Sequence, residues 1–160
     1  MKIQDTDPPE YHLMVLNSQI RAVMDAALRP HGLKLVEWRL VQCLADEGAL
    51  SICDLSQLAV VERTKTSRLV DKLVERKLVT REQLAGDRRY SHVRLCEPGR
   101  DLLNACSEDV ERARGQLFDG LDQKEIGSLL TVLKKMQQNA LVPYRRGPQA
   151  KVAASKRASG

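Results

Sequence analysis

The stretch that decides the fold runs from Val61 to Leu95 and reads VERTKTSRLVDKLVERKLVTREQLAGDRRYSHVRL. It contains ten lysine and arginine residues against five acidic ones, so about a fifth of the chain carries a charge of +5. Its first half repeats apolar residues at helical spacing, and its second half has β-forming residues on both sides of a Gly-Asp turn. The pattern predicts a basic helix followed by a β-hairpin.

The predicted helix has an inward face and a basic face. The inward face is made by residues at positions i, i+3, i+4 and i+7 of a 3.6-residue repeat. These residues are Thr66, Leu69, Val70 and Leu73. A quarter to half a turn away lies a basic stripe made by Lys65, Arg68, Lys72 and Arg76. We expect the first face to pack against the protein and the second to face phosphates.

The predicted hairpin has strands over Leu78–Leu84 and Tyr90–Leu95, with Arg88 and Arg89 at its tip. B-DNA has a major groove about 12 Å wide, which admits a helix, and a minor groove about 6 Å wide. An arginine side chain fits the narrower groove. The segment thus offers one element for each groove, although composition alone is equally compatible with a solvated basic helix beside an ordinary hairpin.

A family resemblance favours the DNA-binding interpretation. The run Leu55–Leu78, with Ser67-Arg68-Leu69-Val70-Asp71-Lys72-Leu73 inside it, is followed by Asp87-Arg88-Arg89 and by Leu95-x-x-x-Gly99. Together these motifs resemble the MarR-type family of winged helix-turn-helix transcriptional regulators, and the similar helix order covers roughly residues 10 to 142. The resemblance implies a mainly α fold: a winged helix-turn-helix DNA-binding lobe, long N- and C-terminal dimerisation helices, and one β-hairpin wing.

Two positions depart from the family pattern. Glu62 stands where a serine or aspartate helix cap is common, and Cys96 stands where threonine commonly precedes the next helix. Both residue types are poor caps, so we expect these two helix ends to be weakly capped.

Size and composition restrict the class of protein. A chain of 160 residues and 18.0 kDa with 42% apolar residues fits one domain of ordinary size. No apolar run approaches the roughly 18 residues of a membrane span, and the first residues lack the apolar segment of a signal peptide. A cytoplasmic protein is expected. The single Phe, single Trp and three Tyr favour helix-on-helix packing over a large sheet.

The chain divides into a lead-in, a domain and a tail. Residues 1–9 are expected to be flexible. Residues 10–142 form the MarR-type domain, in which 36–97 are the DNA-binding lobe and 10–30 and 98–142 the dimerisation helices. The tail, 143–160, has five basic residues and no acid, so it accounts for the whole net charge of +5 and is expected to be disordered.

Five further helices are predicted from periodicity and capping residues. They run over Tyr11–Leu28 and Val36–Asp46, from a cap at Ser51 to near Leu58, from Pro98 for about 20 residues, and from the capping pair Asp122 and Glu125. The helices outside the lobe carry more apolar surface than a small core can cover, which indicates a homodimer. The alternative is a monomer with extra core helices. The expected interface residues are Leu13, Leu16, Ile20, Leu129, Leu130, Leu133 and Met136.

The resemblance assigns DNA contacts residue by residue. In the wing, Arg89 is expected in the minor groove, oriented by Asp87, with Arg88 at a phosphate. In the helix, Lys65 or Arg68 is expected to read a base and Lys72 to meet phosphate. The full set of expected DNA-binding residues is Ser51, Arg63, Thr64, Lys65, Ser67, Arg68, Lys72, Arg81, Asp87, Arg88 and Arg89. The expected partner is a pseudo-palindromic double-stranded operator.

Catalytic and metal chemistry find no support in the motifs. The three histidines are far apart in sequence, and no HExxH, CxxC, phosphate loop or nucleophile elbow is present. We therefore expect no enzyme, cofactor or metal. Cys43 and Cys106 fall on apolar helix faces, where packing is the expected role. Cys53 and Cys96 lie near helix starts, where the helix dipole favours the thiolate and a redox-sensing role stays open.

A small-molecule effector, for instance an aromatic acid, is a further expectation from the resemblance. Its candidate pocket residues are His12, Arg21, His31 and Trp38, although Trp38 is better explained as a core aromatic and Arg21 as a solvated side chain. The leading hypothesis is a dimeric repressor released from its operator by this ligand. The alternatives are a cysteine-based redox-sensing repressor and an architectural or protein-binding module without sequence choice.

Overall fold

The computed structural model describes residue 4, residues 6–83 and residues 91–143. The chain forms two compact units, Met1–Phe118 and Asp119–Gly160. In the described residues the helices are α1 (Pro9–Leu28), α2 (Leu35–Glu47), α3 (Ile52–Ala59), α4 (Arg63–Glu75), α5 (Glu97–Leu117) and α6 (Gln123–Ala140), with a 3-10 turn at Arg29–His31. The strands are β1 (Leu50–Ser51), β2 (Val79–Gln83) and β3 (Ser91–Leu95). The prediction of a mainly helical chain with one hairpin is confirmed.

The sheet has one strand more than the sequence predicted. β2 and β3 form the expected antiparallel hairpin, with Val79 opposite Leu95 and Gln83 opposite Ser91. β1 adds to the other edge of β3, so that the order is β1-β3-β2 and Leu50 lies opposite Val93. A strand of two residues has no alternation to recognise, and only its pairing with β3 defines it. The expectation of a hairpin alone was therefore incomplete.

Helix α1 begins two residues before the expected Tyr11, at Pro9. A proline fits the first turn of a helix because its fixed φ is helical and its missing N–H has no partner there. The amide of Tyr11 donates to the carbonyl of Pro8 at 3.0 Å. Helix α1 therefore includes the last residue of the expected lead-in.

One hydrophobic core joins α2, α3, α4 and the sheet. Its fully buried side chains include Leu40, Val41, Leu44, Leu55, Val70, Leu73, Val79 and Val93. The predicted inward face of α4 is confirmed: Thr66, Val70 and Leu73 are completely buried, and Leu69 is partly buried against the same core. The hydroxyl of Thr66 donates to the carbonyl of Glu62 at 3.0 Å, so this buried polar group is satisfied.

A second core joins α1 to α5. It is made by Met24, Leu28, Leu33, Cys106, Val110 and Ala113. Two polar contacts fix the turn between α1 and α2 beside this core. The amide of Leu35 donates to Asp25 Oδ1 at 2.6 Å, and His31 Nε2 lies 2.7 Å from Asp109 Oδ2 on α5. The second contact joins residues that are 78 positions apart.

The helix caps confirm three expectations and correct a fourth. Ser51 caps α3 by accepting from the amide of Asp54 at 3.1 Å, and Asp122 and Glu125 form the expected capping box of α6. Glu62, expected to be a weak cap, accepts from the amides of both Thr64 and Lys65. Its side chain is long enough to fold back over the helix start, which a residue-type ranking does not consider. Cys96 makes no side-chain cap, as expected.

The unit from Asp119 onwards contains α6, which buries none of its residues. Leu129, Leu130 and Met136 are 39%, 51% and 38% exposed, while Ile126 and Leu133 are partly buried. In the part of the chain that the structure describes, no helix is both long enough and apolar enough to cross a membrane. Residues 144–160, which include all the charges of the tail, lie outside the described residues.

Candidate nucleic-acid interface

The exposed side of α4 is basic, because the helix buries only its opposite side. Arg63, Thr64, Lys65, Arg68 and Lys72 are all exposed, next in sequence to the buried residues of the first core. The stripe predicted from the sequence is therefore on the protein surface. A helix that presents several cations and sits on a rigid core is suited to approach a polyanion without rearrangement.

Arg76, the last cation of the stripe, is exposed but also extends towards a neighbouring loop. Its Nη2 would lie 3.6 Å from a Cβ placed on Gly32, which follows the 3-10 turn and has a φ of +67°. This position brings the guanidinium beside the connection between α1 and α2. Arg76 therefore lies near Gly32, a neighbour that the helical periodicity of α4 does not predict.

The N-terminus of α4 carries an acidic side chain among these cations. The two carboxylate oxygens of Glu62 accept from the amides of Thr64 at 2.8 Å and Lys65 at 2.9 Å. These backbone hydrogen bonds hold the pKa of the Glu62 carboxyl below its ordinary value. Glu62 therefore occupies two amides that would otherwise be available to a phosphate. The sequence analysis did not include Glu62 among the site residues.

Arg81, on the third position of β2, makes three contacts with α4. Its Nη2 lies 2.7 Å from Asp71 Oδ1, 3.3 Å from the Ser67 carbonyl oxygen and 3.3 Å from Ser67 Oγ. The side chains of Arg81 and Asp71 are 32% and 61% exposed. The sequence analysis assigned Ser67 and Arg81 separately to DNA, whereas the structure brings them into contact with each other.

Ser51 makes structural contacts within the described residues. Besides accepting from the amide of Asp54, its hydroxyl donates to Asp54 Oδ2 at 2.6 Å. The same residue belongs to β1 and lies opposite His92 of β3. Its position at the start of α3 is therefore explained by capping and strand pairing.

The wing is described up to its tip. On the hairpin surface, Arg94 Nε donates to Glu82 Oε2 at 3.1 Å across the two strands, and both side chains are about half exposed. Asp87, Arg88 and Arg89, which the sequence analysis placed at the tip, lie outside the described residues. Their expected roles stay predictions.

The four expected effector residues do not share any one of the described cavities. Trp38 lines a cavity of about 350 Å³ between α2 and α5, together with Arg39, Gln42, Ser107 and Arg114 among others. His12 and Arg21 are exposed on α1. His31 is hydrogen-bonded to Asp109, and this contact lowers the pKa of the Asp109 carboxyl. The sequence alone did not show that these four residues lie in separate environments.

The cysteines fall into two classes, as expected. Cys43 and Cys106 are buried, and burial raises the pKa of both thiols, so neither favours a thiolate. Cys53 is exposed in the first turn of α3 and Cys96 is partly buried. Within residues 6–83 and 91–143, no group of three potential metal ligands is found.

The expected interface residues of α1 are less buried than the core residues in the C-terminal half of the same helix. Leu13 and Ile20 are partly buried, Leu16 is 42% exposed, and Met24 and Leu28 belong to the second core. On α6, considered by itself, the apolar face described above is largely exposed. Both helices therefore have apolar surface that is accessible in the single chain.

Several known proteins are similar to this chain in architecture. The model of the MarR family matches residues 33–90. A mutant of E. coli MarR complexed with operator DNA superposes with a TM-score of 0.75 at 20% identity, covering 79% of this chain and 91% of that chain. A MarR-family transcriptional regulator from Silicibacter pomeroyi gives a TM-score of 0.70 at 26% identity, with 86% and 92% covered.

A third structure concerns the regulation of DNA binding of Bordetella bronchiseptica BpsR by 6-hydroxynicotinic acid. It has a TM-score of 0.74 at 20% identity and covers 86% of this chain and 99% of that chain. At 20% identity, the likeness to BpsR and to E. coli MarR is a likeness of fold. The winged-helix class predicted from the sequence is confirmed.

Proposed function

We propose that the chain is a winged-helix regulator of the MarR type, and that it is a sequence-specific repressor that binds double-stranded DNA as a dimer. The observation that carries the proposal is α4, with three completely buried residues on one side and exposed cations on the other. A rigid basic helix beside a β-hairpin is the arrangement in which a helix enters the major groove and a wing reaches the adjacent minor groove.

On α4 we assign base reading to Lys65 or Arg68 and phosphate binding to Lys72. The N-terminal turns of a recognition helix usually approach base edges, and Lys65 and Arg68 lie there with Arg63 and Thr64. Lys72 lies seven residues after Lys65 and four after Arg68, about two turns and one turn further along the helix, where we expect it to meet phosphate. The exposure of all these side chains supports the assignment.

In the wing we assign Arg89 to the minor groove and Arg88 to a phosphate. The Asp-Arg-Arg motif supports this proposal, with Asp87 orienting Arg89 through a charge-assisted hydrogen bond. Changing Arg89 to Ala should weaken operator binding by about 1 to 3 kcal/mol and leave the thermal midpoint close to that of the wild type. Equal operator affinity of variant and wild type would rule out the role.

The dimer proposal rests on the apolar side chains that a single chain leaves accessible. Leu129, Leu130 and Met136 of α6 are more than a third exposed, as is Leu16 of α1. A second copy related by a two-fold axis would cover such residues. The two α4 helices would then read half-sites about 10 base pairs or roughly 34 Å apart, so the operator should be a pseudo-palindrome.

We further propose that a small ligand, such as an aromatic acid, releases the repressor. The cavity beside Trp38 supports this proposal, because its lining combines an aromatic residue with Arg39 and Arg114, although Asp46 and Glu111 also line it. The structural neighbour BpsR is described as regulated in its DNA binding by 6-hydroxynicotinic acid. Of the four residues first considered, Trp38 is the one we keep in this cavity.

The decisive experiment is gel retardation of the full chain on two duplexes at two salt concentrations. One duplex is the DNA that flanks the gene, and the other is a random sequence of the same length. The proposal predicts a retarded complex that prefers the flanking DNA at both salt concentrations, because base contacts are less sensitive to salt than phosphate contacts. Equal retardation of both duplexes, lost steeply with salt, would instead indicate a non-specific architectural protein.

A further inference from the structure

Arg81 is the polar connection between the wing and the recognition helix. Among the described residues, the hydrogen bonds that join α4 to the strands of the hairpin are the three that Arg81 makes with Ser67 and Asp71. Ser67 and Asp71 are four positions apart and therefore lie on one face of the helix, one turn above the other. A single guanidinium nitrogen thus contacts two successive turns.

We propose that Arg81 and Asp71 are positioning residues, which fix the recognition helix relative to the wing, and that Arg81 binds no phosphate. This inference rests on the proposed function and deepens it. It differs from the assignment made from the sequence, in which Arg81 counted as one more DNA-contacting cation.

A protein that uses two grooves at once must hold its helix and its wing at the separation that the duplex presents. The first core adds apolar packing between α4 and the sheet, through Val70, Leu73 and Val79. Apolar packing is not directional, so it resists separation better than a small rotation of the helix. The Nη2 group of Arg81, whose two N–H bonds are shared among three acceptors, adds the directional restraint.

Asp71 is 61% exposed at its side chain and lies on the same helix as Arg68 and Lys72, which are proposed to meet DNA. An unpaired carboxylate there would repel phosphates. Arg81, at 2.7 Å, neutralises it. If Arg81 positions the helix through Asp71, removing Asp71 should weaken operator binding. If Arg81 instead binds phosphate and Asp71 only repels DNA, removing Asp71 should strengthen operator binding.

The experiment is a double-mutant cycle on operator affinity with the full chain. The variants are Arg81→Ala, Asp71→Ala and the double variant, and the matched control is Arg94→Ala. Arg94 also forms an ion pair on the hairpin surface, with Glu82, but its partner lies on β2 and not on α4. Each affinity is measured at several salt concentrations, and each thermal midpoint is recorded, because both side chains of the pair are exposed enough that folding should be little affected.

If the inference is correct, each single variant loses roughly five- to tenfold in operator affinity, and the double variant loses no more than the worse single variant. The salt dependence stays parallel to that of the wild type, and Arg94→Ala binds like the wild type. The charge-swapped double variant, Arg81→Asp with Asp71→Arg, should recover part of the lost affinity because the pair is restored in reverse.

Two results would overturn the inference alone. One is tighter operator binding by Asp71→Ala, as expected if Asp71 only repels DNA. The other is a salt slope that becomes shallower by about one unit in Arg81→Ala, as expected for a lost phosphate contact. A wild-type chain that shows no preference for the operator over a random duplex would overturn the proposed function, and the inference with it.

Discussion

Gly99 should tolerate no side chain, although it lies inside a helix where alanine is normally preferred. It is the third residue of α5, and a Cβ there would lie 2.3 Å from the carbonyl oxygen of Leu78 and 2.5 Å from Leu95 Cδ1. The Leu78 carbonyl is backbone and also accepts from the amide of Cys96 at 3.0 Å. A change of Gly99 to Ala must therefore displace the start of α5 from the end of the sheet.

The size of the effect follows from three contributions. Overpacking costs about 1 to 3 kcal/mol, and weakening the hydrogen bond to Leu78 costs about 1 kcal/mol. The better helix propensity of alanine returns about 0.5 to 1 kcal/mol. The net loss is about 1 to 3.5 kcal/mol in the free energy of unfolding, and each kcal/mol lowers the thermal midpoint by about 2 to 4 °C in a chain of this size.

Urea denaturation followed by circular dichroism measures this difference, with all variants at the same protein concentration because a dimer would make the midpoint depend on it. Gly115→Ala in the same helix is the matched control. A Cβ at Gly115 meets nothing within 4 Å, so this variant should be about 0.5 to 1 kcal/mol more stable than the wild type. If Gly99→Ala is as stable as Gly115→Ala, the close approach is not a constraint and the reasoning fails.

Three further predictions concern DNA binding, assembly and pH. Lys72→Ala should weaken binding to operator and random duplexes alike and make the salt slope shallower by about one unit, and a loss confined to the operator would contradict a phosphate contact. Leu133→Asp should place an unpaired charge in the proposed interface. Sedimentation should then show monomer or unfolded chain, and operator binding should disappear. A wild type that sediments as a monomer at micromolar concentration would contradict the interface itself. The hydrogen bond from His31 lowers the pKa of Asp109 below its ordinary value of 3.8. The stability that Asp109 contributes is therefore fully present above pH 3.8, and it is lost as the pH falls through the lower pKa of the folded state. Asp109→Asn should therefore show a smaller loss of thermal midpoint than the wild type on acidification below about pH 4.

The sequence by itself determined the local structure of the chain. The burial of Thr66, Val70 and Leu73 on one side of α4 follows from the 3.6-residue repeat, because side chains at that spacing must point in the same direction. The caps at Ser51 and Asp122 follow equally from local chemistry, since the amides they satisfy are only three residues away. The basic side of α4 could be predicted for the same reason.

Only the tertiary structure decided which distant residues meet. β1 exists because β3 lies beside Leu50 and Ser51, and Arg81 turns from a presumed DNA contact into a partner of Asp71 because β2 packs beside α4. The pairing of His31 with Asp109 likewise depends on the packing of α1 against α5. The direction of a side chain is set by its own segment, which the sequence displays. Its partner across the fold is set by the relative placement of whole elements, which depends on the summed packing of both cores.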